Sequence, residues 1–222
     1  MTSLLHAPAV HNTLQRLIAA ATLEEEAPPL LPPGFSFSAA SAQDRSDAMA
    51  GAYMAISARG GDLLYALVRA SRPQTVIEFG TSFGISTIYL AAAVADNGSG
   101  HVFGTELNSA KVDAARNNLQ HAGVASQVTI LPGDAIETLN TIRGPIGFAL
   151  LDGWKDLCLP VLHRLEPRLA PGALVVADDI DQRAMTDYLA YVRDPANGYV
   201  SVAFPVDDGM EISCWCGGGP AR

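Results

Sequence analysis

Residues 76–87 read VIEFGTSFGIST, and this stretch decides the fold. A short apolar strand is predicted at 76–79, and a helix is predicted from 85 to 94. Between them, Gly80 and Gly84 let the backbone turn tightly and let a ligand approach it closely. A strand, a glycine turn and a helix in this order are typical of an α/β unit, whose ligands bind beyond the carboxyl end of the strand.

The spacing of these glycines is G-x-x-x-G, whereas a dinucleotide-binding loop has the spacing G-x-G-x-x-G. The dinucleotide loop places a pyrophosphate on a helix N-terminus. Here the carboxylate of Glu78 precedes the loop and would repel such an anion. A cationic sulfonium or an α-amino group would not be repelled. The alternative interpretation is that the glycines only turn the chain.

Outward from this stretch, apolar strands alternate with amphipathic helices. Continuous apolar strands between such helices predict a mostly parallel sheet covered on both faces, and right-handed crossovers then give a doubly wound α/β domain. The turn at 206–209 predicts a terminal antiparallel pair. The further predicted strands are 102–105, 128–131, 148–151, 173–177, 200–205 and 211–216, and the further helices are 61–70, 109–122, 135–142 and 159–169.

The first 45 residues differ from the rest in sequence pattern. A helical pattern is followed by a proline-rich stretch at 27–34, which predicts an extended connector because proline removes backbone donors. We therefore predict an N-terminal helix with its connector at 1–45 and one α/β domain at 46–222. The helix is expected to pack on the main domain or on a partner subunit, and a homodimer is expected. Its apolar residues are Val10, Leu14, Leu17, Ile18 and Ala21.

The composition argues against several classes of protein. The 222 residues carry 23 acidic and 14 basic side chains, a formal net charge of −9, and no basic cluster. Such a chain is a poor candidate for binding nucleic acid or an anionic membrane. No stretch reaches the roughly 20 apolar residues of a membrane span, and no secretory signal pattern opens the sequence. Three cysteines, an odd and sparse number, favour a reducing compartment, and we expect the cytoplasm.

Acidic residues end the next two predicted strand regions. Glu106 ends the second strand, where a carboxylate can accept hydrogen bonds from two vicinal ribose hydroxyls. Asp134 follows the third strand, where it can accept from the exocyclic amine of adenine or cap the next helix. For Glu106 the alternative is a solvated surface acid, and for Asp134 capping is at least as well supported. With the glycine turn, these acids predict a nucleoside site.

Two further strand ends carry residues that fit metal and proton chemistry. Asp152 follows the fourth strand, and Asp178 and Asp179 follow the fifth. Three unpaired carboxylates at one site would repel one another, and a divalent cation such as Mg²⁺ would remove that cost. Beside a dication the pKa of Lys155 should fall, so that its amine can take a proton. The alternatives are helix caps for the aspartates and an ordinary ion pair for Lys155.

Taken together, these residues resemble a known family. The stretches 77–86, DGWKD at 152–156 and ADD at 177–179, with the strand end at Glu106, are similar to the catechol and caffeoyl-CoA O-methyltransferases, over residues 50–216. The resemblance implies a Rossmann-like class I methyltransferase sheet of seven strands in the order 3-2-1-4-5-7-6, and S-adenosylmethionine as cofactor. It implies metal ligands at Asp152, Asp178 and Asp179, catalytic roles for Lys155 and Asp152, and cofactor contacts at Met54, Ile56, Glu78, Gly80, Ser86, Glu106, Asp134, Ala135 and Asp152.

The expected activity is methyl transfer from S-adenosylmethionine to a hydroxyl of a small, vicinal-diol aromatic acceptor, a phenol. Mg²⁺ (or Mn²⁺ or Ca²⁺) would be bound, and Lys155 would be the base. The family usually has Asn where this chain has Asp179, and a third carboxylate would bind the metal more tightly but weaken its pull on the phenol proton. The family's Glu that holds the second hydroxyl has no acidic counterpart near Val202, so catechol itself is not assured as the acceptor.

Three rival interpretations predict different behaviour. A metal-independent methyltransferase, which acts by proximity alone, predicts no effect of a chelator. An NAD-dependent oxidoreductase would need a tighter glycine loop than residues 80–84 provide. A non-catalytic S-adenosylmethionine-binding protein predicts tight cofactor binding without turnover on any acceptor.

Overall fold

The predicted alternation folds into one seven-stranded sheet in the order β3-β2-β1-β4-β5-β7-β6. The computed structural model describes residues 3–26 and 31–217. Neighbouring strands are parallel from β3 to β5, and β7 runs antiparallel to β5 and β6. The predicted fold class and strand order are therefore confirmed. The strands are β1 (Thr75–Phe79), β2 (His101–Glu106), β3 (Val128–Pro132), β4 (Ile146–Leu151), β5 (Leu169–Ala177), β6 (Tyr199–Phe204) and β7 (Met210–Trp215).

Helices cover both faces of this sheet, because strand side chains alternate between two apolar cores. Val76 and Phe148 face α1, α3, α4 and α5, whereas Ile77 and Ala149 face α6, α7 and α8. Both faces are thus occupied by packing, and the strand ends are left for polar groups. The helices are α1 (Pro8–Glu26), α2 (Ala42–Ala48), α3 (Ala58–Ser71), α4 (Ile85–Asn97), α5 (Ser109–Ala122), α6 (Ala135–Thr138), α7 (Cys158–Leu165) and α8 (Thr186–Arg193).

Two predicted helices are shorter than the sequence pattern suggested. The helix predicted at 159–169 ends at Leu165, a 3₁₀ turn follows at Glu166–Arg168, and Leu169 already begins β5. Pro167 lies in that turn, where it has no backbone N–H to continue the helix. The helix predicted at 135–142 is α6 followed by a 3₁₀ turn at Leu139–Thr141. Helices α2 and α8 were not predicted.

The N-terminal helix α1 packs on the domain's own helices. It lies against α5 and α4, with Val10, Leu14 and Leu17 buried. Of the two arrangements expected for this helix, the structure shows packing on the main domain, and the homodimer stays a prediction. The predicted connector at 27–34 lies partly outside the described residues, and its described part, 31–34, forms no helix or strand. Helix α2 spans the predicted boundary at residue 45.

The structure was also searched for helices that could cross a membrane. Within residues 3–26 and 31–217, every helix is too short or too polar to do so.

Candidate active site

Three adjoining cavities open at the carboxyl end of the parallel strands. The deep cleft is lined by six predicted residues: Met54, Gly80, Glu106, Asp134, Ala135 and Asp152. The narrow cavity is lined by Met54, Ile56, Gly80, Ser86 and Asp152. The acidic cavity is lined by Ile56, Asp178, Asp179, Asp207 and Asp208, and by α1. Of the predicted site residues, Glu78 and Lys155 line none of these three cavities.

The glycine turn holds the backbone of β1 against that of β4. Gly80 has a φ of +97°, and a Cβ at this position would lie 2.6 Å from the backbone oxygen of Asp152. The amides of Gly80 and Thr81 donate to the carbonyl of Thr105, at 3.3 and 3.0 Å. Only glycine fits this close approach. Gly80 therefore turns the chain and also lines the deep cleft, so the two interpretations of this glycine are compatible.

Glu78 lies beneath the turn and is completely buried. Its carboxylate accepts hydrogen bonds from the hydroxyls of Thr81, Ser86 and Thr87, at 2.9, 2.7 and 2.6 Å. Burial raises the pKa of Glu78 to about 7, against the lowering effect of these three donors. The side chain faces the protein interior, so the predicted direct contact between Glu78 and a cofactor stays a prediction.

Glu106 and Asp134 lie at the opposite wall of the deep cleft. The carboxylate of Glu106 accepts from the backbone amides of Ser82 and Asn108, both at 2.8 Å, and Glu106 is 9% exposed. It is therefore fixed in place, and the alternative of a solvated surface acid is wrong for this residue. Asp134 caps α6 by accepting from the amide of Ile136 at 2.8 Å. One oxygen of Asp134 thus serves as a cap while the residue also lines the cleft.

Lys155 lies between two of the three predicted carboxylates. Its Nζ is 2.8 Å from Asp152 Oδ1 and 3.0 Å from Asp179 Oδ2. Burial alone would lower the pKa of Lys155, but these two carboxylates outweigh burial and raise the pKa well above its ordinary value. In this arrangement the side chain is an ammonium. The lowered pKa expected beside a dication stays a prediction.

Asp178 completes this group of charges without joining the ion pairs. It is 4% exposed, and its Oδ1 is buried without a hydrogen-bond partner. Burial and the charges of Asp152 and Asp179 raise the pKa of Asp178 to about 8. A buried carboxylate oxygen that lacks a donor is costly, and a cation would relieve that cost.

The donor chemistry of the three aspartates suits a hard divalent cation. In the part of the chain that the structure describes, however, no group of three or more His, Cys, Asp or Glu side chains is arranged to hold a metal. Asp152 and Asp179 are instead turned toward the Lys155 ammonium. The donor set thus fits a divalent cation, and these two side chains would turn from the ammonium to take one.

Backbone strain is concentrated around the same cavities. Among the described residues, Met54, Arg72, Ser82, Asp179 and Asp207 are the non-glycine residues with positive φ. All except Arg72, which ends α3, line one of the three cavities. Such conformations cost on the order of 1–3 kcal/mol each and cluster at functional sites. This pattern supports the location of the site independently of its charges.

Sequence reasoning missed several residues of the deep cleft. Helix α2 contributes Ala42 and Ser46 to its lining, and Met49, which follows α2, and Lys111 of α5 line it too. Lys111 is buried with its Nζ 5.5 Å from the ring of Phe83, and burial lowers the pKa of this lysine. The signal for α2 was the pair Ser41 and Asp44, which forms a capping box.

The sequence is similar to known methyltransferases. A family profile described as a methyltransferase domain matches residues 77–180. Catechol O-methyltransferase of Mycobacterium tuberculosis is 34% identical over 142 residues, which are 64% of this chain and 64% of that protein. A probable O-methyltransferase of the same organism is 33% identical over 144 residues, 60% of each chain. The chain thus spans less than two thirds of the length of these relatives.

Solved structures give the same fold over nearly the whole chain. The cofactor-bound Rv0187 from MTB has a TM-score of 0.70 and 25% identity, covering 95% of this chain and 92% of that one. An O-methyltransferase from Bacillus cereus, solved in complex with SAH, has a TM-score of 0.65 and 20% identity, covering 91% and 99%. The second likeness concerns the fold alone.

Proposed function

We propose that this chain, which is similar to O-methyltransferases over 64% of its length, is an S-adenosylmethionine-dependent O-methyltransferase and that it methylates a hydroxyl of a small, vicinal-diol aromatic acceptor. One observation carries this proposal. The Nζ of Lys155 is held by Asp152 and Asp179, beside the unpartnered oxygen of Asp178, where the deep cleft and the acidic cavity approach each other. A base, a set of hard oxygen ligands and two cavities for two substrates are thus close together.

The deep cleft and the narrow cavity would hold S-adenosylmethionine. Glu106, fixed by two backbone amides, would accept from the ribose hydroxyls, and Asp134 would accept from the adenine amine with the oxygen that is not capping α6. Gly80 allows the ligand to approach the backbone closely. Met54, Ile56 and Ser86 line the narrow cavity, which would take the methionine part. Ala135 would contribute apolar contact in the deep cleft.

Asp152, Asp178 and Asp179 would hold the divalent cation, Mg²⁺ or else Mn²⁺ or Ca²⁺. When bound, such a cation would orient two adjacent acceptor oxygens and make the reacting hydroxyl more acidic. Asp179 stands where the family usually has Asn, so the three ligands carry three negative charges. We expect tight metal binding from this set and a smaller acidifying effect on the acceptor.

Lys155 would take the proton from the acceptor hydroxyl. As an ammonium between two carboxylates it cannot do so, and only the neutral amine is a base. Drawing Asp152 and Asp179 away from the ammonium would remove the attraction that raises its pKa. In the transfer step the acceptor oxygen–carbon bond forms and the carbon–sulfur bond breaks, which converts S-adenosylmethionine to S-adenosylhomocysteine. The proton passes to Nζ and then to solvent.

The test is Lys155→Ala, assayed for methyl transfer to a panel of vicinal diphenols with Mg²⁺ and with EDTA. We expect the rate constant kcat to fall about 10²–10⁴-fold, the usual contribution of a general base, while the affinity for S-adenosylhomocysteine stays unchanged. Arg116→Ala, which removes an exposed ion pair with Asp113 on α5, is the control. Full wild-type activity in EDTA would support the metal-independent rival, and an active Lys155→Ala variant would exclude the lysine base.

Two further parts of the proposal concern the setting of the enzyme. We propose a cytoplasmic location, because Cys158, Cys214 and Cys216 are all free thiols. We also propose a homodimer, whose presence would be read from the mass in solution by light scattering.

A further inference from the structure

Helix α2 lines the deep cleft, and Arg45 ties it to the segment of Trp154 and Asp156, of which Trp154 lines the same cleft. The guanidinium of Arg45 makes two parallel hydrogen bonds to Asp156, Nη1 to Oδ1 at 2.9 Å and Nη2 to Oδ2 at 3.0 Å. Its central carbon also lies 4.9 Å from the ring centre of Trp154. The Arg45 side chain is only 13% exposed although α2 lies at the surface. Planar, bidentate contacts of this kind are specific to arginine.

Arg45 contacts Trp154 and Asp156, which are the two neighbours of Lys155 in the sequence. Trp154 lines the deep cleft together with Ser46 of α2 and Met49, the residue that follows α2. Residues Lys155–Leu157 form a single 3₁₀ turn, so Asp156 and Lys155 belong to one short segment. One side chain therefore joins the wall contributed by α2 to the segment that carries the proposed base.

A second contact holds the same helix from the other side of the cleft. The side-chain amide of Asn108 donates to the carbonyl of Ser46 at 3.5 Å, and the backbone amide of Asn108 donates to Glu106. Helix α2 has only seven residues and one buried residue, Ser46. Its own packing is therefore slight, and its position over the cleft depends on these polar ties.

We propose that Arg45 is a positioning residue that latches α2 over the deep cleft and slows the release of S-adenosylmethionine and S-adenosylhomocysteine. This inference rests on the proposed function. In this proposal, ligand bound beside α2 is released more readily when the Arg45–Asp156 pair and the stacking on Trp154 separate. The same contacts hold Trp154 against the cleft and limit the access of water to its ring.

The first experiment measures ligand release directly. S-adenosylhomocysteine would be bound to the full chain, chased with excess S-adenosylmethionine, and its dissociation followed by stopped flow. We expect Arg45→Ala to raise the dissociation rate about tenfold, the loss of one charge-assisted bidentate contact. Arg45→Lys, which keeps the charge but not the fork, should give an intermediate rate.

The second experiment needs no ligand. In a Trp215→Phe background Trp154 is the one remaining tryptophan of the two in the sequence. Acrylamide quenching of its fluorescence should increase in Arg45→Ala and, to a smaller extent, in Asp156→Asn. Arg116→Ala is the matched control, since its ion pair with Asp113 is exposed and lies away from the cleft. It should change neither the quenching nor the dissociation rate.

The outcomes separate the inference from the function on which it rests. Failure of the wild-type protein to bind S-adenosylhomocysteine would overturn both. Normal binding with unchanged dissociation rates in Arg45→Ala and Asp156→Asn would overturn the latch alone. If Arg45→Ala does not fold, Asp156→Asn and Arg45→Lys give the same readouts. The Arg45→Ala/Asp156→Asn double variant should have no larger effect than Arg45→Ala alone, because the contact with Asp156 is already lost in the single variant.

Discussion

The acidic side chains at the two ends of the candidate site differ in their hydrogen-bond partners. One end is the glycine turn at residues 80–84, and the other is the cluster around Lys155. Around the glycine turn, every carboxylate is satisfied by the protein itself, Glu78 by three hydroxyls and Glu106 by two backbone amides. Around Lys155, one ammonium serves both Asp152 and Asp179, and Asp178 keeps an oxygen without a donor. The carboxylates at the glycine turn thus have hydrogen-bond donors within the folded chain, whereas the carboxylates around Lys155 have too few.

This difference indicates how the two halves contribute to function. Groups that only bind a ligand are best fixed in advance, because no ordering is then needed on binding. Groups that take part in proton transfer must change charge during the reaction. Several of them therefore share one partner of opposite charge. We expect the glycine-turn end to respond to its cofactor alone and the Lys155 end to respond to cations.

The largest expected effect concerns Glu78, whose charged form is disfavoured by burial although three hydroxyls donate to it. The folded-state pKa of Glu78, about 7, lies above its ordinary value of 4.5, so the folded state holds a proton that the unfolded state releases between these values. Stability from this group is present below pH 4.5 and is lost as the pH rises to 7, by about 3 kcal/mol. Glu78→Gln should remove this pH dependence.

The measurement is the free energy of unfolding in urea at pH 5 and at pH 8, for the wild type and for Glu78→Gln. The difference between the two proteins isolates the contribution of this one carboxyl group. Glu137→Gln, a change at an exposed glutamate of α6, is the control and should follow the wild type. A pH dependence that persists in Glu78→Gln would mean that burial does not raise the pKa of this group.

A smaller effect is expected at the Lys155 end. With EDTA present and above pH 8, where Asp178 is ionised, Asp178→Asn should raise the free energy of unfolding by about 2 kcal/mol, because it removes a buried carboxylate that lacks a donor and faces two like charges. The same variant should lose any increase in melting temperature that the wild type shows with Mg²⁺. Calorimetric melting with and without Mg²⁺ measures both quantities.

The nearby Asp181→Asn is the matched control for this variant, since Asp181 is exposed. It should leave both the stability and the effect of Mg²⁺ unchanged. If Asp178→Asn were less stable than the wild type in EDTA, the Lys155 end would be satisfied as folded. The two ends would then not differ in the way described.

Most of the fold could be predicted from the sequence, because its signals are local. Continuous apolar runs marked the parallel strands, and Gly80 and Gly123 marked a turn and a helix end. Helix α2 was missed because its seven residues bury only Ser46 and so show no apolar period. The helix predicted at 159–169 is longer than α7 because its apolar pattern continues past Pro167, whereas the helix itself ends at Leu165.

The sequence predicts which acidic residues lie together at one edge of the sheet, but not how they pair with basic groups. Position at a strand end was enough to select Glu106, Asp152 and Asp178, because a parallel sheet gathers such ends at one edge. Lys155 contacts Asp152 and Asp179. The spacing of residues in the sequence does not predict these contacts, because they depend on side-chain geometry. The contact of Arg45 with Asp156 could not be predicted either, because the two residues are 111 positions apart in the sequence.

The smallest expected effect tests whether the two ends act independently. In Glu106→Gln, an amide nitrogen replaces one of the two oxygens that accept from Ser82 and Asn108, so one backbone amide loses its acceptor and the proposed ribose site loses one acceptor as well. The dissociation constant for S-adenosylhomocysteine, measured by titration calorimetry, should rise about tenfold, or about 1.4 kcal/mol. The effect of Mg²⁺ on the melting temperature should equal that of the wild type. A change in both quantities would show that cofactor and cation share one network of charges, because Glu106 contacts none of the three aspartates near Lys155.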